Sequence, residues 1–158
     1  MPDYFFDKVW DIPLSFLEKH NIKCLLLDVD NTLTTHDNPE VHQNAVKWLD
    51  LVSKAGIKSV IISNNTEPRV APFANGLGVQ FVCHAKKPLS KGARHAVKIT
   101  DITKENMLVV GDQIFTDVLF GKFSGVKTVL VTPMEPETTK FFRFKRRLER
   151  IILKGKRK

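Results

Sequence analysis

Asp28-Val29-Asp30-Asn31-Thr32-Leu33-Thr34 follows directly on an apolar run, Cys24-Leu25-Leu26-Leu27. The run reads as a buried strand, after which the chain breaks into a polar turn. A strand that ends in two acids leaves both at the carboxyl edge of a sheet, the edge at which ligands bind in open α/β folds. Buried carboxylates without partners are costly, so such a pair calls for a cation. An all-oxygen set suits a hard ion such as Mg2+. A carboxylate held beside Mg2+ can attack phosphorus and form an aspartyl-phosphate. Asp and Asn are also ordinary turn residues, so the reading depends on what the later strands deliver.

Four further runs read as strands: Lys58 to Ser63, Gln80 to Cys83, Met107 to Gly111, and Lys127 to Thr132; the first spans Lys23 to Val29. Helical spacing fills the intervals. Asn38 is a plausible N-cap with Pro39 at the first helical position, ahead of Val41, Ala45, Val46, Leu49 and Val52, and Gly56 supplies the stop. A second helix runs from about Glu67 to Leu77, closed by Gly78. A third follows Ser90 with Ala93, Ala96 and Val97, and a fourth runs from about Ile114 to Phe123 before Gly125. A short helix, about Leu14 to His20, packs at the edge. Five strands alternating with four helices imply a three-layer α/β fold, a parallel sheet with helices on both faces and right-handed crossovers.

Each strand end then supplies chemistry. The first offers Asp28 and Asp30. The second offers Ser63-Asn64-Asn65, whose hydroxyl and backbone N–H groups suit a phosphate oxygen. After the third come Lys86-Lys87-Pro88, and after the fourth Gly111-Asp112-Gln113 with Asp117 beyond. In-line positioning and neutralisation of developing charge are what phosphoryl transfer requires, and this set provides both.

The 158 residues allow one domain with a full core. The net charge of +8 is concentrated in the tail. Residues 140–158 hold ten Lys or Arg against one acid, Glu149, a net of +9; the remaining residues hold 15 basic and 16 acidic groups. Such a tail points to an anionic partner: a membrane surface, a nucleic acid or an acidic substrate. Phe141, Phe144, Leu148, Ile151 and Ile152 recur in it at helical spacing, so it reads as a basic amphipathic helix able to lie in a membrane interface. Packing against the domain with a solvated basic face is the competing reading, and RNA binding the third. The expected division is 1–139 for the domain and 140–158 for the tail. Cys24 and Cys83 read as small buried apolar residues in a reducing compartment. With no secretory signal and no run long enough to span a bilayer, the expected location is cytoplasmic, peripheral to the inner face of the membrane.

The four motifs, in this order, resemble those of the haloacid dehalogenase (HAD) superfamily of phosphatases. Asp28, Asp30 and Thr32 match its Asp-x-Asp-x-Thr pattern, Ser63 the second motif, Lys87 before Pro88 the third, and Gly111-Asp112 with Asp117 the fourth. The resemblance implies a Rossmann-like HAD fold and assigns roles. Asp28 would be the nucleophile and a Mg2+ ligand. Asp30 would be the general acid and base, with its backbone carbonyl on the metal. Ser63 would bind the transferring phosphoryl, helped by the Asn64 amide, and Lys87 would neutralise phosphoryl and nucleophile, with Lys86 as its rival. Asp112 and Asp117 would complete the metal site. His36 reads as a solvated loop histidine.

No cap domain fits between Asp30 and Ser63 or between Ser63 and Lys87, which implies a substrate that is large or presented on a surface. The closer resemblance is to the capless YqeG-like branch, which is similar to phosphatidylglycerophosphate phosphatases. It implies a Mg2+-dependent phosphomonoesterase acting on an anionic phospholipid, phosphatidylglycerophosphate, with peripheral membrane contact through the tail. The alternatives are a HAD phosphatase of a soluble sugar phosphate, nucleotide or phosphoprotein, and an RNA- or ribosome-binding protein with a vestigial site.

Overall fold

The computed structural model describes residues 1–35, 38–135, 143 and 147–151. His36 and most of the predicted tail helix therefore lie outside the described residues. The strands are β1 (Tyr4–Phe6), β2 (Cys24–Leu27), β3 (Lys58–Ile62), β4 (Gln80–Val82), β5 (Met107–Gly111) and β6 (Lys127–Val131). They form one parallel sheet in the order β1-β6-β5-β2-β3-β4. Helices α1 (Leu14–Lys19), α2 (Gln43–Lys54) and α3 (Glu67–Leu77) pack on one face, and α4 (Lys91–Thr100) and α5 (Leu119–Ser124) on the other. Alternate residues of β2 feed the two cores. Leu25 and Leu27 join the core that holds Trp48, Val52 and Phe73, whereas Cys24 and Leu26 join the one that holds Ala93, Ala96 and Phe120. Burial on both faces is why the central strands read as unbroken apolar runs. The chain builds outward from β2 in one direction through β3 and β4, then returns to build β5 and β6 on the other side. The reversal puts the crevice of the fold at the carboxyl end of β2.

Among the described residues the sheet has six strands, not the five expected. The missed one, Tyr4–Phe6, is too short for a periodicity to show. It pairs with β6 at Tyr4–Val129 and Phe6–Val131. Its inward side chains stack edge-on against Phe16, with ring centroids 4.9 and 5.2 Å away, while Phe5 is exposed. The Asp3 carboxylate accepts hydrogen bonds from the Thr128 N–H and hydroxyl, both at 2.8 Å, which locks the register.

Two helix expectations are corrected. The first long helix starts at Gln43, not at Pro39, and its N-cap is His42, whose Nδ1 accepts from the Asn44 N–H at 3.1 Å. The Asn38 carboxamide is used one turn earlier, on the Glu40 N–H at 2.9 Å, where it shapes the loop rather than the helix. The fourth helix divides into a π-helical turn, Ile114–Val118, and α5. The other helices and their glycine stops lie where the sequence puts them, with Gly78 and Gly125 left-handed at φ 65° and 71°. Cys24 is buried as expected, but Cys83 is only half-buried.

Candidate active site

Asp28 continues the β2 ladder by one residue, its N–H donating to the Val110 carbonyl at 3.0 Å. The chain then turns at once. The Val29 carbonyl accepts from the N–H groups of Thr32, Leu33 and Thr34 at 3.2, 2.9 and 3.3 Å. Asn31 takes the left-handed φ of 59° that this turn demands, a conformation asparagine tolerates better than most residues. Both carboxylates of the motif stay at the sheet edge, but they have different partners. Asp30 is held away from the other acids: Asn65 Nδ2 donates to its Oδ2 at 2.9 Å, and Arg69 Nη2 pairs with its Oδ1 at 2.8 Å. Arg69 also donates to the Asn38 carbonyl at 3.3 Å and lies 4.8 Å from the centre of the Phe73 ring.

Lys87 comes from the far side of the crevice. Its Nζ sits 2.7 Å from Asp28 Oδ1 and 2.6 Å from Asp117 Oδ1, and its side chain is only 4% exposed. Lys86 is exposed and makes no ion pair with either acid, whereas Lys87 pairs with both. The side-chain amide of Asn64 clasps the Lys87 backbone, accepting from its N–H at 2.7 Å and donating to its carbonyl at 3.2 Å. That amide therefore positions the lysine. Ser63 is buried beside it, and its Oγ accepts from the Asn65 N–H at 3.1 Å.

Asp112 follows β5 directly, and Asp117 lies on the π-helical turn. Asp117 divides its oxygens, one accepting from Lys87 and the other from the Gln113 N–H at 3.1 Å. Gly111 makes this approach possible, since a Cβ there would overlap the Asp117 carboxylate. Carboxylate oxygens of Asp28, Asp112 and Asp117 all lie within 4.8 Å of one another. The Asp30 carboxylate lies outside this group, as suits a residue whose expected metal contact is its backbone carbonyl.

Three carboxylates and one ammonium, their side chains largely buried, leave a formal charge of −2, and hard oxygen donors are what a divalent ion such as Mg2+ takes. The donor set thus fits the group expected of it. Burial, reinforced by Asp117 and Asp30 and opposed by Lys87, pushes the Asp28 carboxyl up to about 7.

Three residues hold parts of the site in ways the sequence reading did not give. Arg69 reads only as an exposed helix cation, and Asn65, noted as part of a phosphate-suited turn, was not expected to hold Asp30 with its side chain. The third is Glu149, from the tail. It is 4% exposed, and its Oε1 accepts from the backbone N–H groups of Ile114 and Phe115 at 2.8 and 3.4 Å. Its signal was available, because it is the one acid among ten basic residues.

Comparison with known proteins places the chain in a family. The family model described as mitochondrial PGP phosphatase matches residues 1–135. The Bacillus subtilis protein named "Probable phosphatase YqeG" is 38% identical over 97% of this chain and 89% of its own length. The Arabidopsis thaliana phosphatidylglycerophosphate phosphatase 1, chloroplastic/mitochondrial, is 25% identical over 92% of this chain, which spans 43% of that longer protein. Among solved structures, a HAD-superfamily (subfamily IIIA) hydrolase from Legionella pneumophila superposes with a TM-score of 0.52 at 27% identity, covering 61% of this chain and 59% of that one. The 3-deoxy-D-manno-octulosonate 8-phosphate phosphatase of Moraxella catarrhalis, in complex with magnesium, phosphate and its sugar, gives 0.51 at 18% identity, covering 62% of each chain, and shares the fold. The chain belongs to the PGP phosphatase family of the HAD superfamily, and it is a phosphatase.

Proposed function

We propose that this phosphatase is a Mg2+-dependent phosphomonoesterase that works through an aspartyl-phosphate on Asp28 and dephosphorylates phosphatidylglycerophosphate at a membrane surface. The observation that carries the chemistry is Lys87 bridging Asp28 and Asp117, with Asp112 in the same group of acids. A bound Mg2+, held by Asp28, Asp112 and Asp117 together with the Asp30 backbone carbonyl, would supply charge neutralisation for the phosphoryl oxygens. Asp28 attacks phosphorus with a carboxylate oxygen, and the bond from phosphorus to the ester oxygen breaks. Asp30 gives the leaving oxygen its proton. Water then attacks the aspartyl-phosphate, Asp30 takes a proton from that water, and inorganic phosphate leaves with Asp28 restored. Ser63, whose oxygen already accepts from Asn65, directs its own proton to a phosphoryl oxygen. Lys87 neutralises the charge that spreads over the phosphoryl group.

Three observations support the lipid. Residues 31–62 and 64–86 hold only α2 with β3 and α3 with β4 as regular structure among the described residues, so no inserted domain covers the crevice. The tail carries a net charge of +9. The Arabidopsis relative is named for this substrate. An exposed crevice suits a headgroup whose own membrane excludes water from one side, and the tail would hold the protein there, each basic group contributing on the order of 1 kcal/mol near an anionic leaflet. Among the described residues no helix is long and apolar enough to cross a membrane.

The test is Mg2+-dependent phosphate release from phosphatidylglycerophosphate in mixed micelles, beside a panel of soluble phosphomonoesters, with Asp28→Asn as the control. Turnover that prefers the lipid and is lost in the variant supports the whole reading. Turnover of soluble esters alone keeps the chemistry and overturns the substrate. Turnover that survives Asp28→Asn overturns the mechanism.

A further inference from the structure

We propose that Glu149 is a positioning residue for the metal-binding loop, so that the basic tail is a working part of the site and not only an appendage for docking. This rests on reading Asp28, Asp112 and Asp117 as metal ligands. The first N–H groups of any helical segment lack partners within it. At the π-helical turn Ile114–Val118 the preceding residue, Gln113, makes no side-chain capping bond. The acceptor comes instead from 35 residues away: Glu149 Oε1 takes the N–H of Ile114 at 2.8 Å and that of Phe115 at 3.4 Å.

A carboxylate 4% exposed needs such donors, and the positive end of a helical turn favours its charge. The contact falls between the two loop acids, with Ile114 two residues after Asp112 and Asp117 three residues after Ile114. Inside the loop, Asp117 is fixed by Lys87 and by the Gln113 N–H. Glu149 holds the next two N–H groups of the same turn from outside the loop. Groups that orient ligands in this way typically carry 10- to 100-fold in metal affinity. A tail that folds elsewhere, or is removed, leaves the loop without its outer hold.

The experiment uses the full chain and three variants, Glu149→Ala, Glu149→Gln and Glu149→Asp. The readouts are Mn2+ affinity by calorimetry and amide hydrogen exchange at Ile114 and Phe115. Glu149→Ala is expected to weaken Mn2+ binding by about 10- to 100-fold and to speed exchange at both amides. Glu149→Gln keeps an oxygen acceptor of the same reach and should retain most of both. Glu149→Asp, one methylene shorter, should behave like the alanine variant in milder form, and it carries the test should that variant not fold.

Wild-type affinity and exchange in Glu149→Ala and Glu149→Asp would overturn the proposal, as would a Glu149→Gln variant as impaired as Glu149→Ala. A wild-type chain that binds no Mn2+ would instead overturn the metal reading and with it this role; unchanged exchange at Ile114 and Phe115 in Glu149→Asp would show that the anchor itself is absent.

Discussion

Lys87 and Asp117 meet at 2.6 Å with side chains 4% and 2% exposed, a contact closed to water from both sides. Removing one partner of a buried pair leaves the other uncompensated, which typically costs about 3–5 kcal/mol. Lys87→Met should therefore melt well below the parent protein in EDTA, and Mg2+ should restore part of the difference by neutralising the same acids. Phosphate release should fall by about 100- to 1000-fold. Thermal scans with and without Mg2+ check the first expectation and steady-state kinetics the second.

The Asp28 carboxyl, raised to about 7 chiefly by burial, makes metal binding compete with a proton. Between the ordinary carboxylate range and that pH the folded, metal-free protein holds a proton that the unfolded chain has already lost. This group's contribution to metal-free stability is thus greatest in acid and declines as pH rises from the ordinary carboxylate range towards 7. Apparent Mg2+ affinity runs the other way: it should climb by up to about tenfold per pH unit below 7 and level off above. Calorimetry in two buffers of different ionisation enthalpy reads the proton release directly, and Asp28→Asn should abolish this group's share of it.

Arg69 and Asn65 hold both oxygens of Asp30. An acid that serves the leaving group must keep its direction, and a misplacement of about 1 Å can cost 100-fold. Arg69→Ala should lower kcat by about 10- to 100-fold while changing Mn2+ affinity little, because Asp30 brings no carboxylate to the group of three acids. Arg69→Lys, which cannot reproduce both guanidinium contacts, should recover only part of the rate. Kinetics paired with a metal titration separates this outcome from general damage to the site.

Gly111 is required by contact rather than by backbone conformation. Gly111→Ala should push the Asp117 carboxylate out of place, costing about 1–3 kcal/mol of stability as overpacked sites do, and weakening metal binding with it. Melting in EDTA and Mn2+ titration report the two effects separately.

The central strands were legible because they are buried on both faces, so Cys24–Leu27 and Met107–Gly111 carry continuous apolar runs that no helix period explains. The candidate site was legible because its chemistry stands at strand ends, where each motif follows a run that can be seen. What stayed hidden depends on distance in the chain. Tyr4–Phe6 is a strand only because β6 lies beside it. Arg69 gains its partner across 39 residues with nothing local to mark it, and Glu149, though set apart as the one acid of the tail, gains its own across 35. Asn38 shows the converse: its local pattern suited an N-cap, but the loop leading to His42 used the side chain first.

The pairing of β1 with β6 also sets an order of assembly during synthesis. Tyr4 and Val129 lie 125 residues apart, so the strand made first is among the last to find its place. At about 5–20 residues per second, the ribosome needs roughly 6–25 s to span that interval. Through it Phe5, Phe6 and their neighbours wait without the backbone partner that makes them a strand. A nascent chain of this protein therefore leaves residues 4–6 open to chaperones and proteases until β6 has emerged, and completion of this sheet edge signals that it has.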